Sequence, residues 1–400
     1  MISYNSSAWA GGYLTLNDLK VLKEKAIASE SWAYAGIADV LSAYALSNLS
    51  DLYGDIPMDE ALQAGKIHQP KFNTAEEVYE EIHRRLDNAI VNFDKGTSGF
   101  VPLKDDLVFQ GDVNMWKKTA YALKARLYNR LSNIDATASA ENALSAIQNS
   151  FANGEENFMF TQYAANPNHE NPFSGAQHSQ PEFAVGNGIY NAMLFFSPND
   201  DIEEDPRANI WFSRISGEIV PAPNGKAGGD FGEPRLDGRF YSKPAILKPL
   251  DAPQPINTYA ELKFIEAEAN LRLGNMVEAN AAYEEAVTIA LKQAALFNPS
   301  VSLSQEQLQG YTSMTTVFPG ADGLTLKHIV LQKYIFFFQS QPIEAFNDLR
   351  RLDVLQATHP NGRPNRLPYP DSEISRNPNT PENVNVTTIF EDFTKIFWAK

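Results

Sequence analysis

A proline-rich stretch of this sequence, residues 154–257, contains aromatic and polar side chains whose types suit a ligand-binding site. Aromatic rings stack on the C–H faces of sugars, whereas amides and charged groups bond the hydroxyls. The candidate rings within residues 154–257 are Tyr163, Phe173, Trp211, Phe240 and Tyr241. The polar candidates are Asn168, His169, Arg207 and Arg239. We expect Trp211 to be an exposed stacking platform, and Trp9, which lies close to two glycines, to be a further ligand contact.

The same side chains also have structural interpretations. The rings could instead pin the loops to the rest of the fold. An arginine in the sequence Asp205-Pro206-Arg207 often holds a loop through backbone carbonyls. The charged run at 348–351 fits buried ion pairs between helices better than it fits a ligand site.

Neither a metal site nor a catalytic centre stands out in the sequence. Residues 199–205 are rich in oxygen ligands, but they lack the glycine and the distal glutamate of an EF-hand loop. His169 and His178 lie nine positions apart with no evident third ligand. There is no Gly-x-Ser-x-Gly, His-Glu-x-x-His or phosphate-loop motif. We therefore predict a protein that is not an enzyme and that needs no metal or cofactor.

Composition limits the possible partners. The chain has 43% hydrophobic and 20% charged residues, which is ordinary for a globular protein. Its net charge of -16 disfavours nucleic acid and anionic lipid as partners, although solubility alone would also explain it. The chain has no cysteine, which excludes disulfides, thiolate metal sites and a cysteine nucleophile.

Helical periodicity dominates the chain outside the proline-rich stretch and provides the scaffold for the candidate residues. The spacing of apolar residues predicts helices over 32–53, 74–93, 113–132, 140–151, 258–273, 276–292, 326–338 and 344–355. Capping boxes at Thr74 and Thr258 mark two of the helix starts. Residues 154–257 hold 12 of the 24 prolines and 10 of the 23 glycines, which indicates long irregular loops on that scaffold.

One pair of predicted helices has the pattern of a tetratricopeptide repeat. Gly274 is at the position of the turn glycine, and Ala279, Tyr283 and Ala286 are at the positions of its small, aromatic and small residues. Small residues let two helices approach closely, and the aromatic ring fills the groove between them. The pattern therefore predicts an antiparallel helical hairpin.

Segments spread along the chain resemble the SusD/RagB family. The first is Asp51-Leu52-Tyr53-Gly54-Asp55-Ile56-Pro57, at the end of an alanine-rich helix. The others are Glu77-Val78-Tyr79, Ala120 to Tyr128 after Trp116, Asp205-Pro206-Arg207, Tyr259-Ala260-Glu261, Gln332-Lys333-Tyr334, Glu344-Ala345-Phe346 and Leu367-Pro368-Tyr369-Pro370. Each segment is short, but their common order along the chain is specific to the family.

The resemblance implies an all-α fold, a right-handed helical array of tetratricopeptide-like hairpins whose long irregular loops form the ligand site. We accordingly expect one domain over 1–400. Its expected parts are N-terminal helical repeats at 32–151, a loop-rich insertion bearing the ligand site at 154–257, C-terminal helical repeats at 258–355 and a wrapping tail at 356–400.

The resemblance also implies a function. Family members are nutrient-binding lipoproteins on the outer surface of Bacteroidetes-type bacteria. They cap a TonB-dependent, SusC-like transporter and pass it oligosaccharides or, in some cases, peptides. A lipidated N-terminal cysteine anchors them. Because this sequence has no cysteine, we expect an incomplete chain that lacks the anchor segment, which would be its link to the membrane.

Two other functions remain open at this point. A tetratricopeptide-type adaptor would bind protein or peptide on its helices, although the irregular insertion and the ordered family segments argue against it. A helical glycoside hydrolase would need a pair of carboxylates, and the sequence nominates no particular pair. A full-length sequence that begins with a signal peptide ending in a lipidated cysteine would support the nutrient-binding interpretation and exclude the adaptor.

Overall fold

The computed structural model describes residues 5–63, 65–96, 99–166, 168–179, 183–223, 240–245, 249–293, 302–338, 340–357 and 361–400. Helices dominate these residues, which confirms the predicted all-α class. Helices α1 to α14 are Asn5–Ala28, Trp32–Tyr53, Ala75–Asp94, Val113–Arg130, Ala136–Ile147, Pro172–Ser179, Asn187–Leu194, Pro206–Trp211, Tyr259–Leu273, Met276–Gln293, Gln305–Thr312, Leu326–Phe337, Pro342–Arg351 and Asp371–Arg376.

Four short strands form two antiparallel pairs in the described residues. Strands β1 to β4 are Ile56–Pro57, Phe72–Asn73, Asn157–Phe160 and Gln254–Thr258. Strand β1 pairs with β2, with Ile56 opposite Asn73, and β3 pairs with β4, with Asn157 opposite Thr258. The chain divides into two compact units. Unit 1 comprises residues 1–135, 145–151 and 363–400, and unit 2 comprises 136–144 and 152–362.

Helix α2 lies at the centre of unit 1 and packs against α1, α3 and α4. Ala35, Ala38 and Ala43 are fully buried, so neighbouring helices can approach α2 closely. A buried carboxylate joins three of these helices: Asp51 of α2 accepts a hydrogen bond from the Tyr79 hydroxyl of α3 at 2.5 Å and forms an ion pair with Arg130 of α4.

The predicted helix starts and ends agree closely with the structure in several places. The helix predicted over 32–53 is α2, and the helix predicted over 74–93 is α3, where Thr74 and Glu77 form the expected capping box. The helix predicted over 140–151 begins earlier and ends at Ile147. Helix α1 was not predicted, and it carries Trp9.

The core of unit 2 contains the predicted hairpin of α9 and α10. Gly274 ends α9 with a left-handed backbone conformation (φ 79°), which glycine adopts without steric cost. Ala279, Tyr283 and Ala286 are fully buried in α10. The Tyr283 hydroxyl donates a hydrogen bond of 3.0 Å to the backbone oxygen of Val317. The hairpin thus has the buried side chains that its sequence pattern predicts.

Residues 363–400 pack into unit 1. The backbone N–H of Leu367 bonds the carbonyl of Leu52 at 2.7 Å, and the Tyr369 hydroxyl bonds the carbonyl of Asp55 at 2.9 Å. Trp398 is fully buried, with the guanidinium of Arg130 over its ring. This segment therefore contributes side chains to the core of unit 1.

Candidate ligand-binding site

The irregular region of unit 2 follows strand β3, which is held in place by its neighbours. Strand β3 pairs with β4, and β4 leads directly into α9. The Asn157 side chain accepts a hydrogen bond of 3.0 Å from the backbone N–H of Tyr259, the first residue of α9. These contacts fix the position from which the following loop leaves the helical scaffold.

The loop at residues 161–170, called here the ligand loop, is described at 161–166 and 168–170, and hydrogen bonds join these two parts. The N–H of Ala164 bonds the carbonyl of His169 at 2.8 Å, and the N–H of His169 bonds the carbonyl of Asn166 at 3.1 Å. A ring nitrogen of His169 lies 2.7 Å from the Asn166 side-chain oxygen. Asn168 has a positive φ of 69°, which asparagine tolerates better than most residues. The loop is therefore a compact turn.

Asn171 fastens the far end of the ligand loop. Its side chain is fully buried and donates a hydrogen bond of 2.9 Å to the carbonyl of Ala252, while its backbone N–H bonds the carbonyl of Leu250 at 2.7 Å. Its side-chain oxygen accepts from the N–H groups of Phe173 and Ser174 at the start of α6. The loop thus lies between two anchors, strand β3 and Asn171.

The ligand loop presents an aromatic pair beside exposed polar groups. The rings of Phe160 and Tyr163 meet edge to face with centroids 4.7 Å apart. Tyr163 is half-buried, and this burial raises the pKa of its phenol, so the hydroxyl stays protonated. Asn166, Asn168 and His169 are exposed on the same loop. A ring surface flanked by amides and an imidazole can stack a sugar ring and bond its hydroxyls.

Sequence reasoning selected Tyr163, Asn168 and His169 but missed Phe160 and Asn166. The signal for Phe160 was the apolar run Phe158-Met159-Phe160 directly before the loop. The signal for Asn166 was the polar composition of the turn around it.

Phe173 and Tyr241 are half-buried outside the ligand loop. Phe173 lies in α6, directly after the Asn171 anchor. Phe240, also half-buried, and Tyr241 precede Ser242, which is fully buried and accepts a hydrogen bond from the N–H of Val185 through its carbonyl. Arg239 lies outside the described residues.

Arg207 and Trp211 lie in the core, so the exposed platform expected at Trp211 is wrong. Asp205 caps α8 and holds the Arg207 guanidinium at 2.7–2.9 Å. The same guanidinium donates to the Tyr311 hydroxyl and the Gln332 side chain at 3.1 and 3.0 Å. Trp211 is 9% exposed, and its ring packs 5.4 Å from that of Phe338. Both side chains are buried because α8 packs against helices that are distant in sequence.

Burial lowers the pKa of Arg207, but the opposing charge of Asp205 more than reverses this effect and holds the pKa above its usual value. The guanidinium therefore stays charged inside the core. This arrangement agrees with the structural interpretation of the Asp205-Pro206-Arg207 sequence, although through side chains and not through the backbone carbonyls expected.

Trp9 is also buried and not an exposed ring. It is 6% exposed in α1 of unit 1, with its ring edge to face against Tyr53 at 5.0 Å and Tyr369 at 6.0 Å. Because helix α1 was not predicted, the face on which Trp9 lies could not be predicted either.

The charged run at 348–351 forms the buried ion pairs that its spacing suggested. Asp348 contacts both Lys333 and Arg351 at 2.9 Å, and Arg351 also pairs with Glu268 of α9. These pairs connect α9, α12 and α13.

A family of SusD-like proteins described as "Starch-binding associating with outer membrane" matches residues 1–370 of this sequence. The chain belongs to this SusD-like family.

Solved structures of SusD-like proteins agree with this assignment. A SusD/RagB family protein from Bacteroides thetaiotaomicron is 26% identical, with a TM-score of 0.78 and coverage of 99% of this chain and 87% of that one. A chitin-binding SusD homologue from Flavobacterium johnsoniae is 18% identical, with a TM-score of 0.75 and coverage of 98% and 86%. A SusD homologue from Bacteroides fragilis is 22% identical, with a TM-score of 0.68 and coverage of 92% and 83%. The last two likenesses concern the fold alone.

No curated protein matches this SusD-like sequence. Within the described residues, every helix is too short or too polar to cross a membrane. The family's description associates its members with starch binding and with the outer membrane.

Proposed function

We propose that this SusD-like protein binds a nutrient oligosaccharide without altering it, at the outer-membrane surface, and delivers it to a TonB-dependent, SusC-like transporter. The observation that carries this proposal is the family match over residues 1–370, whose description names starch binding and the outer membrane. The chitin-binding protein of similar fold adds a second glycan to the candidate ligands. The chain would be held at the membrane by a lipid anchor on a preceding segment.

The ligand loop is the proposed contact surface. Tyr163 would stack on a sugar ring, and His169 would bond a hydroxyl, because both lie on a turn that is anchored at its two ends. Phe173 and Tyr241 are further proposed contacts, since both rings are partly exposed. We assign Trp9, Arg207 and Trp211 to the core and propose no direct ligand contact for them, because their side chains are buried.

Calorimetric titration with starch- and chitin-derived oligosaccharides tests the proposal. A few stacking and hydrogen-bonding contacts give a Kd on the order of micromolar to millimolar. Tyr163→Ala should weaken binding about tenfold, because it removes the stacking face. Phe183→Ala is the matched control, since Phe183 is an exposed ring of the same irregular region outside the ligand loop. Equal affinity of wild type and Tyr163→Ala would refute the role of the loop.

The absence of catalysis and the partner need separate measurements. Prolonged incubation with the bound sugar, followed by mass spectrometry, should return the sugar unchanged, and cleavage would refute a pure binding role. Co-purification with a SusC-like transporter from the native membrane tests delivery, and a protein that never co-purifies would contradict it.

The tetratricopeptide-like hairpin of α9 and α10 keeps peptide binding as the second candidate function. A peptide library titrated in parallel separates the two. Peptide binding without any sugar binding would favour the adaptor.

A further inference from the structure

Unit 1 contains a groove of about 1050 Å³ that is far from the ligand loop in sequence. It is lined by α3, by residues 128–134 at the end of α4 and after it, and by Phe397. Ligand pockets of drug-sized molecules have volumes of about 300–1,000 Å³. The groove is therefore large enough for a ligand of more than one sugar ring.

The sequence of α3 gives the groove two different ridges. Residues four apart lie above one another on a helix. Tyr79 and His83 form a ring-bearing ridge next to the buried stripe of Val78 and Ile82. The neighbouring ridge, also along the groove, is polar and consists of Glu76, Glu80, Arg84 and Asn88.

Aromatic and aliphatic side chains form the floor of the groove. The imidazole of His83 stacks on the ring of Tyr128 with centroids 4.4 Å apart and an angle of 23°. The ring of Phe397 meets that of Tyr79 edge to face at 5.3 Å. Ile134 is 58% exposed at the rim and adds an accessible aliphatic surface there. Because Tyr79 is buried, the ring surfaces that the floor offers to a ligand are those of the half-buried His83, Tyr128 and Phe397.

The floor of the groove is uncharged at neutral pH. Burial and the nearby charge of Lys124 lower the pKa of His83 to about 4, so the imidazole is neutral. Both ring nitrogens of His83 are buried, and neither has a hydrogen-bond partner within the described part of the chain. The imidazole therefore contributes to the floor through its ring and not through hydrogen bonds to a ligand.

The rim of the groove does not favour anions. Glu76, Glu80 and Asp87 contribute three carboxylates, of which Asp87 is paired with Lys124. Asn88 and Asn133 contribute amides, Arg84 is paired with Glu81 at 2.6 Å, and Lys400 also lines the groove. Apolar ring faces with carboxylates and amides at the edge suit the C–H faces and hydroxyls of a neutral sugar. An acidic sugar or a phosphate would meet carboxylates there.

We propose that this groove is a second glycan site, which binds a neutral oligosaccharide independently of the ligand loop. The inference rests on the proposed function in that it extends glycan binding to unit 1. It uses none of the residues assigned to the loop, so each site can fail without the other.

The test is calorimetric titration of the whole protein with neutral malto- and chito-oligosaccharides, in wild type, Tyr128→Leu and Tyr163→Ala. Wild type should show two sites, and Tyr128→Leu should weaken one of them about tenfold because it removes a ring face while keeping an apolar side chain. Tyr121→Leu is the matched control, since Tyr121 is a half-buried tyrosine of α4 that does not line the groove. If Tyr128→Leu does not fold, Ile134→Asp tests the same groove at an exposed position.

The outcomes separate the two proposals. Binding that is lost in Tyr128→Leu or Ile134→Asp but kept in Tyr163→Ala supports the groove and contradicts the ligand loop. Binding that is lost in Tyr163→Ala alone supports the loop and overturns the groove. A wild type that binds none of the sugars, or a groove that binds peptides and no sugar, also overturns the inference.

Discussion

A Cβ atom on Gly54 would lie 2.8 Å from a terminal nitrogen of the Arg366 guanidinium. Gly54 ends α2 with a φ of 75° and a ψ of -117°, a conformation that other residues rarely adopt. Arg366 is buried and stacks on Tyr369 with its guanidinium 4.7 Å from the ring centroid, so moving it away would disturb this contact. The glycine of the Asp51–Pro57 segment is therefore required by its backbone conformation and by this close approach.

Gly54→Ala should destabilise unit 1 for both reasons. The positive φ costs about 1–3 kcal/mol, and displacement of the buried Arg366 side chain adds to that cost. Gly320→Ala is the control, because Gly320 also has a positive φ (72°) but would place its Cβ in open space. Chemical denaturation should show a larger loss of unfolding free energy for Gly54→Ala. Equal losses would show that Arg366 gives way without cost.

Asp51→Ala should be among the most destabilising single substitutions in unit 1. It removes the buried carboxylate that Arg130 and Tyr79 contact, and removing one partner of a buried ion pair costs about 3–5 kcal/mol. Tyr79→Phe should cost less, about 1.5–3 kcal/mol, because it removes one hydrogen bond to a charged group. Urea denaturation measures both, with Tyr121→Phe in α4 as control. A small effect of Asp51→Ala would contradict the joining role of this carboxylate.

Ala279→Phe should destabilise unit 2 by about 1–3 kcal/mol, because a ring does not fit at a fully buried small residue. Val277→Phe, two residues earlier on the same helix, is the control because Val277 is 70% exposed. Thermal melts followed by circular dichroism provide the measurement. An unchanged melt for Ala279→Phe would argue against close packing of α9 on α10.

Acidification should weaken unit 1 through His83. The folded state lowers the pKa of this imidazole from 6.5 to about 4 through burial and Lys124, so the unfolded chain takes up a proton at a higher pH. The contribution of the neutral His83 imidazole to the unfolding free energy is therefore complete above about pH 6.5 and is lost as the pH falls towards 4. A variant with His83→Gln should show a smaller decline of unfolding free energy over that interval.

His178→Gln is the control for this pH dependence, since His178 is exposed. If the wild type and His83→Gln decline in parallel between pH 6.5 and 4, the buried imidazole is not the titrating group.

The sequence predicted helices best where capping and periodicity agreed. Thr74 and Glu77 fixed the start of α3, and Gly54 and Gly274 marked the ends of α2 and α9. Helix α1 escaped prediction because Gly11 and Gly12 interrupt its pattern. Its buried residues Trp9, Leu16, Leu19 and Ala26 are also mixed with the exposed Leu14, Val21 and Ile27.

The candidate site was less predictable than the helices because burial depends on distant contacts. Arg207 is buried by Tyr311 and Gln332, which are more than a hundred residues away in sequence. Phe338, against which the Trp211 ring packs, is also more than a hundred residues away from it in sequence. Local composition was enough to expect Tyr163 and His169 in a loop, and that loop is closed by hydrogen bonds among its own residues. Sequence patterns therefore served better for local turns than for rings in the core.

The packing of residues 363–400 into unit 1 has a consequence for biosynthesis. Unit 2 is nearly continuous in sequence, so its residues are all available once position 362 has been made. Helices α1 to α4 are synthesised first. The contact of Asp55 with Tyr369 and that of Arg130 with Trp398 can form only after residues 369 and 398 have been translated. The part of the protein that is made earliest can therefore complete its core only after the last residues of the chain are present.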